Sequence, residues 1–189
     1  MRWQQLFADL QAQFEAAEDA EARAEWASRA RAEMGAVRLA DRLGGSVGAH
    51  LTLTCRGAGR VSGVLAETGS DWLLLTDDRG RDQLVSVAAV RAVGGLGRLS
   101  AMPEEEGSVR ARLDLRRALR GLARDRSAVQ VVLDDGTALT GTVDRVGADY
   151  VELAEHAADE PRRSGAVRSV QAVVIGAVAV VRPLLPGWD

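Results

Sequence analysis

The chain contains no lysine; all 24 of its basic residues are arginine. That excludes Schiff-base chemistry on a lysine amine and a phosphate loop ending in Gly-Lys. With abundant Ala, Gly, Val and Leu, the bias reads as GC-rich coding sequence. Cysteine is almost absent too. Cys55 stands alone, which excludes an internal disulfide framework and a thiolate metal cluster. Its place in an apolar alternation makes it a small buried hydrophobe rather than a nucleophile. His50 and His156 are the only histidines. Neither has a second imidazole or a thiolate at ligand spacing, so no metal site is expected. No apolar run approaches the ~20 residues that span a bilayer; the longest, Ala172 to Val181, is broken by Gly176. Arg2 is followed by an amphipathic run, not a signal-like apolar one. A soluble cytoplasmic protein is expected, without membrane partner or cofactor. A net charge of -3 argues against a basic nucleic-acid coat.

What is present is one pattern that occurs twice. Leu51 to Leu75 lies without a gap on Val129 to Leu153 at a shift of 78 positions. Gly63 meets Gly141, Gly69 meets Gly147, Asp71 meets Asp149, and Trp72 meets Tyr150. Leu51, Leu53, Cys55, Val61, Leu65, Leu73 and Leu75 each meet another apolar residue. Later, Val85 to Val93 falls on Val173 to Val181 at a shift of 88. The ten extra residues include Pro161 and lie in the loop before the fourth strand of the second copy.

Taken in order, residues 1–43 read as helix. Trp3, Leu6, Phe7, Leu10, Phe14, Ala17, Ala20, Ala24 and Ala27 recur at three- and four-residue steps, and Gly44-Gly45 supplies a stop. Unbroken, such a helix is about 60 Å long. It must fold back near Gly35 or pair with another chain. Residues 44–97 read as five strands: His50 to Cys55, Val61 to Glu67, Trp72 to Thr76, Gln83 to Val87 and Val90 to Val93. A glycine inside the second strand marks a sharp bend. Five such strands describe a small closed barrel. A linker follows at 98–107, with Pro103 and Glu104 to Glu106. The last segment, 108–189, reads as a helix from Val109 to Arg124 capped by Ser108, a second barrel, and an apolar tail ending in Trp188.

The unit resembles the Sm-like fold of Sm, LSm and Hfq proteins. Val129 to Val143, with Asp135-Gly136 and the Leu139-Thr140-Gly141-Thr142-Val143 segment, carries the likeness best. The resemblance implies an α+β, mainly β architecture: two tandem five-stranded Sm-like barrels, each preceded by a helix, after a long N-terminal helix. It also implies self-assembly through strand edges. The family's RNA pocket is not matched, because Gly69 and Gly147 stand where an aspartate is usual. Val87-Ala88 and Ile175-Gly176 stand where a basic or His-containing pair is usual.

Two surfaces are candidate sites. The bulky end of the first helix, Trp3, Leu6, Phe7, Leu10 and Phe14, would bind a second copy of the chain or another protein. Arg110, Arg112, Arg116, Arg117, Arg120, Arg124 and Arg126 form a basic face that could grip RNA phosphates. Trp72 and Tyr150 read as core packing, and Asp71 and Asp149 as turn residues rather than a catalytic pair. Gly57-x-Gly59-x-x-x-Gly63 precedes a strand, not a helix, so it is no dinucleotide loop. The expectation is a non-catalytic scaffold, with RNA binding as the alternative.

Overall fold

The computed structural model of the protein describes residues 2–101, 113–157, 165 and 167–184. The acidic linker run, Ser108, Arg110, Arg112, Pro161 and the tail from Leu185 lie outside them. The chain divides into two units, Met1–Leu39 and Ala40–Asp189.

The first unit holds α1 (Arg2–Ala36). No proline interrupts it, alanine fills its middle, and i,i+4 pairs such as Arg29–Glu25 at 2.9 Å support it. It continues through Gly35. The break falls at Val37 and Arg38, before the short α2 (Leu39–Gly44). The helix expected over 1–43 is therefore two helices, and Gly35 is not the place of the bend.

Among the described residues the second unit has ten strands: β1 (His50–Cys55), β2 (Gly59–Thr68), β3 (Trp72–Thr76), β4 (Asp82–Ser86), β5 (Val90–Gly94), β6 (Ala128–Leu133), β7 (Ala138–Val146), β8 (Tyr150–Glu155), β9 (Ser169–Val174) and β10 (Val178–Pro183). One helix, α3 (Leu115–Asp125), precedes β6. All ten strands join in one antiparallel sheet, ordered β5-β1-β2-β3-β4-β10-β6-β7-β8-β9.

This corrects the expectation of two tandem closed barrels, and with it the Sm-like resemblance. To close the first five strands, β4 would have to meet β5. Instead β4 pairs with β10, Val85 opposite Val180 and Leu84 opposite Val181. The sheet is open, with β5 and β9 as its edges.

The registers nevertheless correspond along the chain. Leu51 faces Gly63 in the β1–β2 pair, and Val129 faces Gly141 in β6–β7. Bulges fall between Leu65 and Glu67, and between Val143 and Arg145. Single 3-10 turns, Val87–Ala89 and Ile175–Ala177, precede β5 and β10.

Two cores flank the seam. Leu51, Leu53, Leu65, Leu73, Leu75 and Val85 form the first, joined by Ala179 and Val180 of β10. Leu115, Leu119, Val131, Val151 and Leu153 form the centre of the second, joined by Trp72 and Leu84.

Gly63 and Gly141 sit where the neighbouring strand's backbone comes close. A Cβ at Gly63 would stand 2.5 Å from the Thr76 carbonyl oxygen, and one at Gly141 2.1 Å from that of Ala154. Backbone cannot yield as a flexible side chain can. Gly141→Ala is expected to lower stability by about 2 kcal/mol or more, measured by urea unfolding. Gly176→Ala, where nothing lies within 4 Å, should change it by less than about 0.5 kcal/mol.

Candidate functional site

The β2–β3 turn and the start of α3 form one polar cluster. Asp114 is the helix cap; its carboxylate accepts the Arg117 backbone N–H at 2.8 Å. A second carboxylate assists from the other half of the chain. Asp71 Oδ1 accepts the Leu115 N–H at 2.7 Å. The Leu113 carbonyl in turn accepts the indole N–H of Trp72 at 2.7 Å and the Ser70 N–H at 3.2 Å. The bonds to the Leu115 and Arg117 N–H groups satisfy donors that a helix start leaves unpaired, and those to the Leu113 carbonyl fix the segment leading into it. The helix expected from Val109 thus takes its cap at Asp114, and the segment before Leu113 lies outside the described residues.

Trp72 is buried under α3, as expected. Tyr150, its counterpart, is 39% exposed, which corrects the expectation of core packing there. The reason is local: among the described residues, no helix start docks on the turn at Gly147. Asp71 and Asp149 lie in separate turns. Asp71 caps α3, whereas the Asp149 carboxylate makes no hydrogen bond among the described residues.

The arginines of α3 divide. Arg116 is half-buried, with its Nε 3.7 Å from Asp114. Arg117, Arg120 and Arg124 are exposed, and no carboxylate pairs with them among the described residues. Arg126, just past the helix, takes the left-handed conformation at φ 52° and returns its N–H to the Leu122 carbonyl. That geometry is a helix C-terminus, so Arg126 has a structural task besides its charge. Arg110 and Arg112 lie outside the described residues.

On α1, Trp3 is 72% exposed, Phe7 64% and Phe14 69%; Leu6 and Leu10 are about half exposed. Trp26, which the apolar stripe does not include, is exposed as well. Its signal in the sequence is a single large aromatic within an alanine-rich stretch.

The histidines are far apart in character. His50 is exposed, with Nε2 3.8 Å from Asp78. His156 is buried between the Thr142 hydroxyl and the Ala157 carbonyl, each 2.8 Å from a ring nitrogen. The Ala157 carbonyl can only accept, so Nδ1 donates to it, while the Thr142 hydroxyl can serve Nε2 in either role. Burial raises the Cys55 thiol pKa and keeps it a thiol, with Arg182 and Arg91 opposing weakly.

A further group went unread in the sequence. Arg182, at the end of β10, donates from Nε to the Gln83 side-chain oxygen at 3.0 Å and from Nη1 to that of Gln130 at 3.4 Å. Gln83 belongs to β4 and Gln130 to β6, so the arginine ties both sides of the seam. The only hint was one charge closing a valine run.

The chain matches no protein-family model and no curated protein. Among the described residues there is no group of three His, Cys, Asp or Glu side chains placed to hold a metal ion. No helix among them is long and apolar enough to cross a membrane.

If Asp71 serves α3 rather than chemistry, Asp71→Ala should lower stability by about 1 kcal/mol in urea unfolding. Asp149→Ala should change it by under about 0.5 kcal/mol. Equal losses at both positions would contradict the assignment.

Proposed function

We propose that this chain is a non-catalytic interaction protein that associates with a second copy of itself through the apolar stripe of α1. The observation that carries the reading is the exposure of Trp3, Phe7, Leu10 and Phe14 at steps of four, three and four residues. Those steps place the four side chains on one narrow face and are the steps of a two-helix seam. A long helix in water owes most of its stability to burial of such a face. Each large side chain withdrawn from water contributes about 1.5–3 kcal/mol. Further along, Ala17, Ala24 and Ala27 continue the stripe and let a second backbone approach closely. The ten-stranded sheet is the rigid body that this helix would bring together with its copy. Its two halves are best read as copies of one helix-plus-five-strand unit; the matched registers, bulges and 3-10 turns support that.

The test is solution mass by light scattering. The full chain is expected to be at least dimeric, and Leu10→Glu with Phe14→Glu should return it to the monomer mass with an unchanged urea midpoint of the sheet. A monomeric full chain, or a double variant of unchanged mass, ends this reading.

A second reading rests on a separate observation: Arg117, Arg120 and Arg124 are exposed on one helix, with no carboxylate partner among the described residues. Guanidinium groups match phosphates bidentately, and a run of them would give RNA binding that falls steeply with salt. Filter binding of single-stranded RNA at low ionic strength should then weaken on Arg117→Ala with Arg120→Ala, with a shallower salt dependence. Binding indifferent to both substitutions removes it.

A further inference from the structure

Arg182 is a half-buried cation whose hydrogen-bond partners, the Gln83 and Gln130 carbonyl oxygens, are neutral. Among the described residues no carboxylate comes within ion-pair distance of it. Withdrawing a guanidinium from water is unfavourable unless a counter-charge meets it. The glutamines fix its orientation and leave part of its five-donor fork unused.

That fork lines a polar cavity of about 430 Å³ at the seam. Its walls come from both halves: Arg60 and Ser62 of β2, Gln83 of β4, Gln130 of β6 and Arg182 of β10. Arg60 is exposed at the cavity and has no carboxylate partner among the described residues. Two carboxylates also border it. Asp77 is already committed: it accepts the Arg81 backbone N–H and guanidinium, and these hold its carboxyl below the usual range. Asp82 accepts the Thr76 hydroxyl at 2.8 Å. With Asp77 and Arg81 cancelling, Arg60 and Arg182 outweigh Asp82 by one positive charge.

We propose that this seam cavity binds a small molecule through an oxyanion, a phosphate ester or a carboxylate, with Arg182 as the fixed counter-charge and Arg60 as a second fork at the rim. A planar guanidinium presents paired donors that match either group. The volume lies in the range of small-molecule sites, so it admits more than the anion itself. Because the walls belong to both halves, the ligand would bridge the seam between β4 and β10. Nothing in this inference depends on α1 or on self-association.

The test titrates the full chain with inorganic phosphate and, separately, with acetate. Ionic strength is held constant with chloride, and the readout is amide and arginine Nε chemical shifts. Saturable binding of at least one anion is expected, with shifts centred on Arg182 and Gln130. Arg60→Ala should weaken it about tenfold, or ~1.4 kcal/mol, and Arg182→Gln should abolish it. Arg117→Ala, on α3, should leave it unchanged. Preference for phosphate would mark the ligand as a phosphate ester, and preference for acetate as a carboxylate. Should neither anion saturate by about 10 mM, a concentration typical of weak sites, the proposal fails. It also fails if Arg60→Ala, a change at an exposed side chain, has no effect on the affinity.

Discussion

The pairing of β4 with β10 is the contact on which the second unit depends. Only two residue pairs define its register, Val85 with Val180 and Leu84 with Val181. Successive strand residues point to opposite faces, so each strand feeds both cores. Val85, Ala179 and Val180 enter the first, and Leu84, Val178 and Val181 the second; the adjacent Ala179 and Val180 share a core because a bulge falls between Val178 and Val180. A strand buried on both faces reads as a continuous apolar run, which is the character of Val178 to Val181. Around it the polar ties repeat the theme. Arg56 meets Asp134 at 2.8 Å, and Arg182 meets Gln83 and Gln130. The first pair is partly solvated and worth little alone. The seam is held by the apolar layers and aligned by the polar ones.

The same contact explains where α3 sits. Its apolar face covers the second core, yet its first turn is held by Asp71, Ser70 and Trp72 of the first half. Leu115 and Leu119 are almost completely buried, and that burial carries the arginine face outward. Any role of Arg117 and Arg120 thus rests on a helix clamped at its start by a turn more than forty residues earlier.

Much of this was legible. β1, from its alternation, and β3, from its short apolar run, have the bounds expected of them, and glycines 63 and 141 occupy matched places against a neighbouring carbonyl. Periodicity reports which face of a strand is buried, so it found the strands. It does not report which edge meets which, because backbone N–H and C=O groups are the same at every residue. The choice between β4 meeting β5 and β4 meeting β10 was therefore invisible, and closure was the wrong inference. The start of α3 was misplaced because Ser108 and Asp114 both offer a cap. The structure uses Asp114, whose partner Asp71 is remote in sequence. Arg182 escaped notice for the same reason: its glutamines are 52 and 99 positions away.

Differences between the matched positions carry information that the similarities do not. Leu74, on the face of β3 that α3 covers, corresponds to Glu152 on β8, where no such helix docks among the described residues. Leu84, inside the seam, corresponds to Ala172 on the free edge strand β9. Ala179, completely buried on β10, corresponds to Arg91 on the free edge strand β5. Arg91 turns back to donate to the carbonyls of Ala88 and Val90. It places a charge where β10 has a methyl group, so β5 could not enter a seam like that of β4 and β10 without burying a guanidinium. Charges on an edge strand are a common defence against sheet extension. The differences at Leu84, Ala179 and Arg91 are those that separate the β4–β10 junction from the sheet's edge strands. Association through α1 asks for no change at either border.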